Sequence, residues 1–277
     1  MIEKYYDGAI EQVAAGLGTV EKNYLLVRYS GQFSVENLND TKQLEKNEDI
    51  FVQVHEFETG EITCAYEPYL TMICDGFRRY MTGTFEEFME TCDVYYLHRP
   101  VLLGYFNQDN TGREEIILLD EVAYEQERML AALERMLCAI ADRHPVLFVL
   151  NRFQLASKST MQLTARFLKC ENCNIGLVLG VSDIQAMPEF LVPDWEMLYE
   201  TLDDGSKIYH IGNSGRKKEE TIDDEKYVDY GSEKVYRKLQ NMVEFLDFDQ
   251  AAYYLETIER KIKFDNLLVD DAADRKS

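Results

Sequence analysis

The sequence predicts an α/β protein in which a mostly parallel sheet is flanked by helices and followed by a C-terminal helical hairpin. Pro145 to Leu150 and Asn174 to Val181 are continuous apolar runs. Strands of this kind lie buried on both faces of a parallel sheet. These runs also alternate with segments of helical period, a pattern typical of crossover connections between parallel strands.

Three further strands are predicted from short runs of β-branched and aromatic residues that end near turn-forming or polar residues. They are Asn23 to Tyr29, Asp49 to Phe57 and Lys207 to Ile211. Two apolar runs, Pro100 to Phe106 and Glu115 to Leu119, are separated by a turn-rich spacer. This arrangement predicts a β-hairpin.

Helices are predicted where apolar residues recur every three or four positions. Thr84 and Glu87 also have the spacing of an N-terminal capping box, and Ser34 is a candidate N-cap. The predicted helices are Ser34 to Leu44, Tyr69 to Met81, Thr84 to Cys92, Glu125 to Asp142, Ser159 to Lys169 and Asp194 to Leu202.

The C-terminal part of the chain has a purely helical pattern from Ser232 to Lys263, with a break near Phe245 to Phe248. It predicts two antiparallel helices that look like one pair of a tetratricopeptide-type array. Because the preceding stretch is polar, we expect an α/β domain at residues 1–218 and a helical segment at 219–277. A single pair cannot bury its own apolar face. The pair therefore either docks on the α/β domain or precedes further repeats in a longer polypeptide.

Composition and charge exclude several classes of function. The chain has 29 basic and 51 acidic residues, a formal charge of −22, which repels nucleic-acid phosphates. No apolar run approaches the roughly 18–20 residues of a membrane span, and no secretory signal precedes the first strand. We therefore expect a cytoplasmic protein that binds neither nucleic acid nor membrane.

Metal and redox chemistry have little support in the sequence. Cys170 and Cys173 form a C-x-x-C pair, but zinc needs two more ligands, and no second pair supplies them. The pair also ends a predicted helix, whereas a redox motif begins one. The four histidines share no metal-binding spacing, and His55-Glu56 lacks the second histidine of H-E-x-x-H. No metal or cofactor is expected. The cysteines at 64, 74, 92 and 138 are predicted to be small buried hydrophobic residues.

The segment His144 to Met161 resembles the second nucleotide-binding motif of STAND-class P-loop ATPases, the AAA-like modules that precede helical repeats in bacterial regulators. That motif is an apolar strand, two acidic residues, an apolar residue, Gln or His, Trp, Ala, Asp, and then a helix. Matching positions are Val146 to Leu150 for the strand, Phe153, Gln154 and Ala156, with Thr160-Met161 where the helix opens.

The resemblance extends over roughly residues 20–215 in the order of the elements. Leu25 to Gly31 lies where the family has its first strand and phosphate loop, and Ile175 to Val181 resembles the sensor strand. The segments Phe51 to Phe57, Tyr66 to Leu70 and Asp194 to Ile211 also have counterparts. The resemblance implies a P-loop NTPase-like fold in which the strands at Leu25, Phe51, Val146 and Ile175 are neighbours in one parallel sheet.

The residues that handle phosphate and metal in that family are replaced. A working phosphate loop reads G-x-x-x-x-G-K-[ST], where the lysine neutralises charge and the hydroxyl holds magnesium. Here the stretch begins at Gly31, but Glu36, Asn37 and Leu38 replace the second glycine, the lysine and the hydroxyl residue. Asn151 and Arg152 replace the two acids. Hydrolysis by this route is not expected.

The resemblance therefore implies a vestigial nucleotide site without catalytic residues, formed by Gly31, Gln32, Ser34, Asn151 and Arg152. Arg152 contacts either an anion or a carboxylate of this acidic protein. The cavity beside Gly31 is either open or filled by Phe33 and Glu36.

The functional hypothesis is a catalytically inactive ATPase-like module with a regulatory or docking role in a bacterial signalling or transcription-regulatory protein. Its partners would be another protein or covalently following domains. One alternative is an interaction scaffold of unrelated α/β fold. Another is an enzyme with an unrecognised site near Arg152 and Gly212 to Gly215.

Overall fold

A computed structural model describes residues 2–19, 23–29, 33–35, 38–58, 63–108, 121–170, 174–182, 187–203, 207–211 and 233–260. In chain order the elements are α1 (Ile2–Gly16), β1 (Asn23–Tyr29), α2 (Asn39–Leu44), β2 (Phe51–Glu56), α3 (Tyr69–Tyr80), α4 (Phe85–Thr91), α5 (Arg99–Asn107), α6 (Val122–Ala141), β3 (Val146–Asn151), α7 (Lys158–Lys169), β4 (Ile175–Ser182), α8 (Val192–Asp203), β5 (Lys207–Ile211) and α9 (Glu233–Glu244). A last helix, α10, occupies residues 248–260. Short 3₁₀ turns precede α7 and α8, at Phe153–Leu155 and Glu189–Leu191.

The strands form one sheet in the order β2-β3-β4-β1-β5, and every neighbouring pair is parallel. The predicted parallel sheet with flanking helices is confirmed. The strands that begin near Leu25, Phe51, Val146 and Ile175 are neighbours in it, as the resemblance implied. Every residue of β3 and β4 is buried, which explains their unbroken apolar sequences.

Helices cover both faces of the sheet. On one face α1 and α2 pack over Leu25 and Val27 of β1. Leu26, between these two residues, belongs to the larger core on the opposite face, with α3, α6 and α7. This alternation follows from the two-residue period of side chains along a strand.

Three segments differ from the sequence predictions. The helix predicted from Ser34 to Leu44 begins only at Asn39, and Leu38, not Ser34, is its N-cap residue. The helix α1 was not predicted, although Tyr6, Ile10 and Val13 have helical spacing and are buried. The β-hairpin prediction is wrong in its first arm, because residues 99–107 form the helix α5. Pro100 occupies the first turn of that helix, where its missing N–H costs nothing. The predicted second arm, Glu115 to Leu119, lies outside the described residues.

The two C-terminal helices dock on the α/β core. The ring of Phe245, between the helices, packs against Tyr66 and Tyr105 at centroid distances of 6.1 and 6.0 Å. Backbone N–H groups of the core donate to side chains of the C-terminal segment: Ala65 to Asn241 Oδ1 (3.1 Å), Thr63 to the Tyr254 hydroxyl (3.3 Å), Ser159 to Asp247 Oδ2 (3.2 Å) and Lys158 to Gln250 Oε1 (3.3 Å). The sequence left open whether the helical pair docks on the α/β domain or precedes further repeats, and the structure shows that it docks. The predicted domain boundary between residues 218 and 219 lies outside the described residues.

Asp247 is the one buried carboxylate in this docking contact among the residues that the structure describes, with 1% of its surface exposed. Burial raises the pKa of its carboxyl, and hydrogen bonds from Ser159 and Gln250 partly oppose that rise. Removing a carboxylate from water is unfavourable unless such bonds replace its hydration. Ionisation of Asp247 therefore costs stability, although the hydrogen bonds of its carboxylate help to position the C-terminal helices on the core.

Substitution Asp247→Asn should remove a pH-dependent loss of stability. An acid with a raised pKa in the folded state binds its proton more tightly there, so the free energy of unfolding falls as pH rises above the ordinary value of about 3.9. The stability of Asp247→Asn relative to wild type should therefore increase with pH until the raised pKa is passed. Urea unfolding at a series of pH values measures this. The exposed Asp49→Asn variant is the control, and an equal pH profile for both variants would contradict the prediction.

Candidate functional site

The carboxyl edge of the sheet is the candidate functional site. Strands β1, β2, β3 and β4 end there at Tyr29, Glu56, Asn151 and Ser182. In an open parallel sheet, ligands bind beside the carboxyl ends of the strands. The polar groups that these residues present, and the groups that already occupy them, therefore decide what the edge can bind.

Asn151 links two other segments at this edge. Its side chain is fully buried, and its Oδ1 accepts a hydrogen bond from the Tyr29 hydroxyl at 2.8 Å. Its Nδ2 donates to the carbonyl oxygen of Phe33 at 3.2 Å. The family places a magnesium-binding acid at this position. Here a neutral amide joins the end of β1 to the chain that follows it.

Phe33 fills the space next to these strand ends. Its ring is 8% exposed and lies 5.2 Å from the ring of Tyr6 and 5.6 Å from that of Tyr29, between ring centroids. Phe33, one of the two residues considered for filling the cavity beside Gly31, is therefore buried against the strand ends; Gly31 and Glu36 lie outside the described residues. A stacked or edge-to-face aromatic cluster gains both apolar burial and favourable ring geometry. This part of the edge is packed by the protein's own side chains.

Glu56 holds the residues after Phe33. Its Oε2 accepts hydrogen bonds from the Ser34 hydroxyl at 2.7 Å and from the backbone N–H of Val35 at 3.2 Å. Its Oε1 lies 3.3 Å from Nη2 of Arg152. Both oxygens of one carboxylate are thus used, so Glu56 ties the 33–35 segment to the ends of β2 and β3.

Arg152 and Gln154 form the turn that leaves β3. Arg152 has a left-handed backbone, with φ at 54°, which is uncommon for a residue with a side chain. Gln154 is 2% exposed, and its Oε1 accepts from the backbone N–H of Ser182 at 3.3 Å. Gln154, which matches the Gln or His of the STAND-class motif that the sequence resembles, therefore contacts the end of β4.

The two tyrosines at this edge are neutral at physiological pH. Burial raises the pKa of Tyr29 to about 12, and it raises the pKa of Tyr6 well above its ordinary value. Gly180 of β4 makes room for Tyr6 and Asn151, because a Cβ there would lie 2.1 Å from the Tyr6 hydroxyl and 2.5 Å from Asn151 Oδ1. The phenol of Tyr29 therefore acts as a hydrogen-bond donor and not as a base.

The structure brings together three of the predicted site residues. Ser34 and Arg152 meet on the carboxylate of Glu56, and Asn151 lies beside them at the end of β3. The sequence left either an anion or a carboxylate as the partner of Arg152, and in the structure Arg152 contacts the carboxylate of Glu56. Gly31 and Gln32 lie outside the described residues.

Sequence reasoning missed Glu56, Tyr29 and Tyr6 as members of the site. For Glu56 a signal was present, because an acid at the carboxyl end of a predicted parallel strand reaches the same edge as Asn151. It was considered only as part of a zinc motif. Tyr6 lies in the helix that was not predicted, so its contact could not be found.

A pocket of about 550 Å³ lies elsewhere, between α3, α5 and α9. Its lining includes Cys74 and Tyr105, whose pKa values are both raised by burial, that of Cys74 to about 12. Since a thiolate and not a thiol is the nucleophile, this shift makes Cys74 less reactive at neutral pH. Asp75 and Arg78 in the same wall pair with each other at 3.1 Å. The pocket therefore lacks an activated acid, base or nucleophile among these four residues.

Within the described ranges, no three His, Cys, Asp or Glu side chains are grouped so that they could hold a metal ion. In the same ranges no helix combines the length and apolar character needed to cross a bilayer.

No protein-family profile matches the chain, and no curated protein sequence matches it.

Substitution Asn151→Ala should destabilise the fold by about 1–3 kcal/mol, because it removes the acceptor of the buried Tyr29 hydroxyl and the donor to the Phe33 carbonyl. Chemical unfolding measures the change. Asn47→Ala is the matched control, since Asn47 is exposed and bonds only a neighbouring backbone N–H in the described structure. It should change stability by less than about 0.5 kcal/mol. Equal effects of the two substitutions would show that Asn151 does not organise this edge.

Proposed function

We propose that this chain is a catalytically silent ATPase-like module that has a regulatory or docking role in a bacterial signalling or transcription-regulatory protein. One observation carries the proposal. The carboxyl edge of a parallel sheet, where a nucleotide would bind, is occupied by the chain's own Phe33, Asn151 and Glu56.

The sheet supports the P-loop-like part of the proposal. The resemblance requires the strands at Leu25, Phe51, Val146 and Ile175 to lie side by side. They are consecutive neighbours in one parallel sheet. The Gln154 contact with the end of β4 also joins two segments that have counterparts in the family.

Glu56 gives a physical reason for the loss of nucleotide binding. In a phosphate loop, backbone N–H groups and a hydroxyl point at phosphate oxygens. Here Val35 N–H and the Ser34 hydroxyl donate to a carboxylate instead. A phosphate brought within 4 Å of that carboxylate would meet a repulsion of about 4 kcal/mol at an effective dielectric constant near 20. An internal anion thus takes the acceptor role of the missing ligand.

Arg152 offsets part of this repulsion, but its guanidinium is already paired with Glu56, with Nη2 3.3 Å from Oε1. A phosphate would therefore compete with Glu56 for the same cation, and the pair offers it no net positive charge. The lysine and the two acids that would supply charge and metal are absent from the matched positions. Binding and turnover of ATP are therefore both disfavoured at this edge.

The C-terminal helices support a docking role. Their facing residues Val235, Met242 and Ala251 share an apolar cluster with Leu239, Tyr254 and Ile258, which fits a helical pair of the tetratricopeptide type. Tyr236, Val243 and Leu255 remain exposed, by 68%, 47% and 55%. These side chains offer apolar contact to a protein partner or to covalently following domains. We propose a cytoplasmic location for such a module.

Titration with ATP and with ADP, each with and without magnesium, tests the proposal. We expect no binding heat and no turnover at micromolar to millimolar nucleotide. Thermal unfolding gives an independent measure, because a ligand at 100 times its Kd would stabilise the fold by about 2.7 kcal/mol. Micromolar affinity together with hydrolysis would overturn the proposal.

The Arg152→Ala variant separates specific from non-specific binding. If the wild-type protein binds anions weakly and Arg152→Ala binds them equally well, the anions do not bind at the carboxyl edge of the sheet. Binding that Arg152→Ala abolishes would place a nucleotide at that edge and would count against the silent site.

A further inference from the structure

We propose that Cys138 and Cys170 form a redox-modification site, in which a small-molecule disulfide converts the two thiols into one intramolecular disulfide. The sulfur atoms lie 3.6 Å apart. Cys138 is on α6, and Cys170 is the C-cap residue of α7. This inference is independent of the proposed function, because it involves neither the strand ends nor a nucleotide.

An ion pair fixes the spacing between the two helices next to the thiols. Arg166 of α7 donates through Nε to Glu134 of α6 at 2.7 Å. Glu134 precedes Cys138 by four residues, and Arg166 precedes Cys170 by four, so each pair shares one helix face. The Glu134–Arg166 ion pair and the Cys138–Cys170 thiol pair therefore lie about one helical turn apart, and both connect α6 with α7.

Bond formation requires only a local adjustment. A disulfide has an S–S length of about 2.05 Å, so the sulfurs must approach by roughly 1.5 Å. Cys170 has an extended backbone, with φ at −69° and ψ at 140°, because the chain leaves α7 there. A residue at the end of a helix adjusts at lower cost than one in the middle of it. Both cysteines are partly exposed, so a small reagent can reach them.

The positions of the two residues assign an order to the thiols. Cys138 lies inside α6, whereas Cys170 lies at the end of α7, where the backbone leaves the helix and has more freedom to accommodate a mixed disulfide. Burial also raises the pKa of Cys138 well above its ordinary value, which disfavours its thiolate. Cys170 therefore attacks first.

The reaction is thiol–disulfide exchange with glutathione disulfide. The Cys170 thiolate attacks one sulfur of the reagent, a mixed disulfide forms, and one glutathione leaves as a thiolate that takes up the proton lost by Cys170. The Cys138 sulfur then loses its proton, attacks the Cys170 sulfur and displaces the second glutathione. Two protein thiols are oxidised, and one glutathione disulfide is reduced to two glutathione molecules.

Incubation of the full chain with glutathione disulfide, followed by alkylation of free thiols and peptide mass spectrometry, tests the proposal. We expect a peptide pair joined through Cys138 and Cys170, which is lost after reduction. Both residues remaining alkylatable under these conditions would overturn the proposal. So would a bond between Cys170 and Cys173 that leaves Cys138 free.

Single substitutions test the order of attack. In Cys138→Ser, Cys170 should accumulate as the stable glutathione adduct, because no resolving thiol is present. In Cys170→Ser, Cys138 should stay reduced. An adduct on Cys138 in Cys170→Ser, with none on Cys170 in Cys138→Ser, would overturn the assignment.

Cys173→Ser and Cys92→Ser are the matched controls, and both should keep the Cys138–Cys170 bond. Loss of that bond in Cys173→Ser would assign the chemistry to the C-x-x-C pair and contradict the proposal. Circular dichroism before and after oxidation shows whether each variant is folded. The wild-type peptide analysis decides the main point even where a variant fails to fold.

Discussion

The buried amide of Asn151 needs hydrogen-bond partners inside the protein, and this constraint organises the carboxyl edge of the sheet. An unpaired buried amide is costly, so Asn151 requires both a donor and an acceptor nearby. It finds them in the Tyr29 hydroxyl and the Phe33 carbonyl. These bonds fix the chain after β1 over the strand ends, and the ring of Phe33 is thereby placed between Tyr6 and Tyr29.

Glu56 completes the same arrangement with charge. Its carboxylate accepts from Ser34 and Val35 and pairs with Arg152, so the segment that would face a ligand instead faces an internal anion. An aromatic plug alone would leave these donors available to a ligand. A carboxylate alone would leave the apolar space open. Together the ring and the carboxylate fill the edge with the protein's own groups, and this supports the proposal of a regulatory or docking module.

The sequence predicted the sheet well because β3 and β4 are buried on both faces, and their apolar runs record that burial directly. It failed at α5, where Val101 and Leu102 form an apolar run that is ambiguous between strand and helix. Ser34, Asn151 and Arg152 were found because a motif marks their positions. Glu56 was missed because its role depends on the parallel pairing of β2 with β3, which brings together residues almost a hundred positions apart. The Cys138–Cys170 contact depends in the same way on helix packing.

A crystal structure grown with magnesium and a non-hydrolysable ATP analogue at high concentration tests the central claim most directly. We expect the ring of Phe33 to remain against Tyr6 and Tyr29, with Asn151 and Glu56 bonded to the protein's own groups and no phosphate at the strand ends. A nucleotide gripped by the backbone of residues 30–34, with Phe33 displaced and Glu56 turned away, would contradict the account.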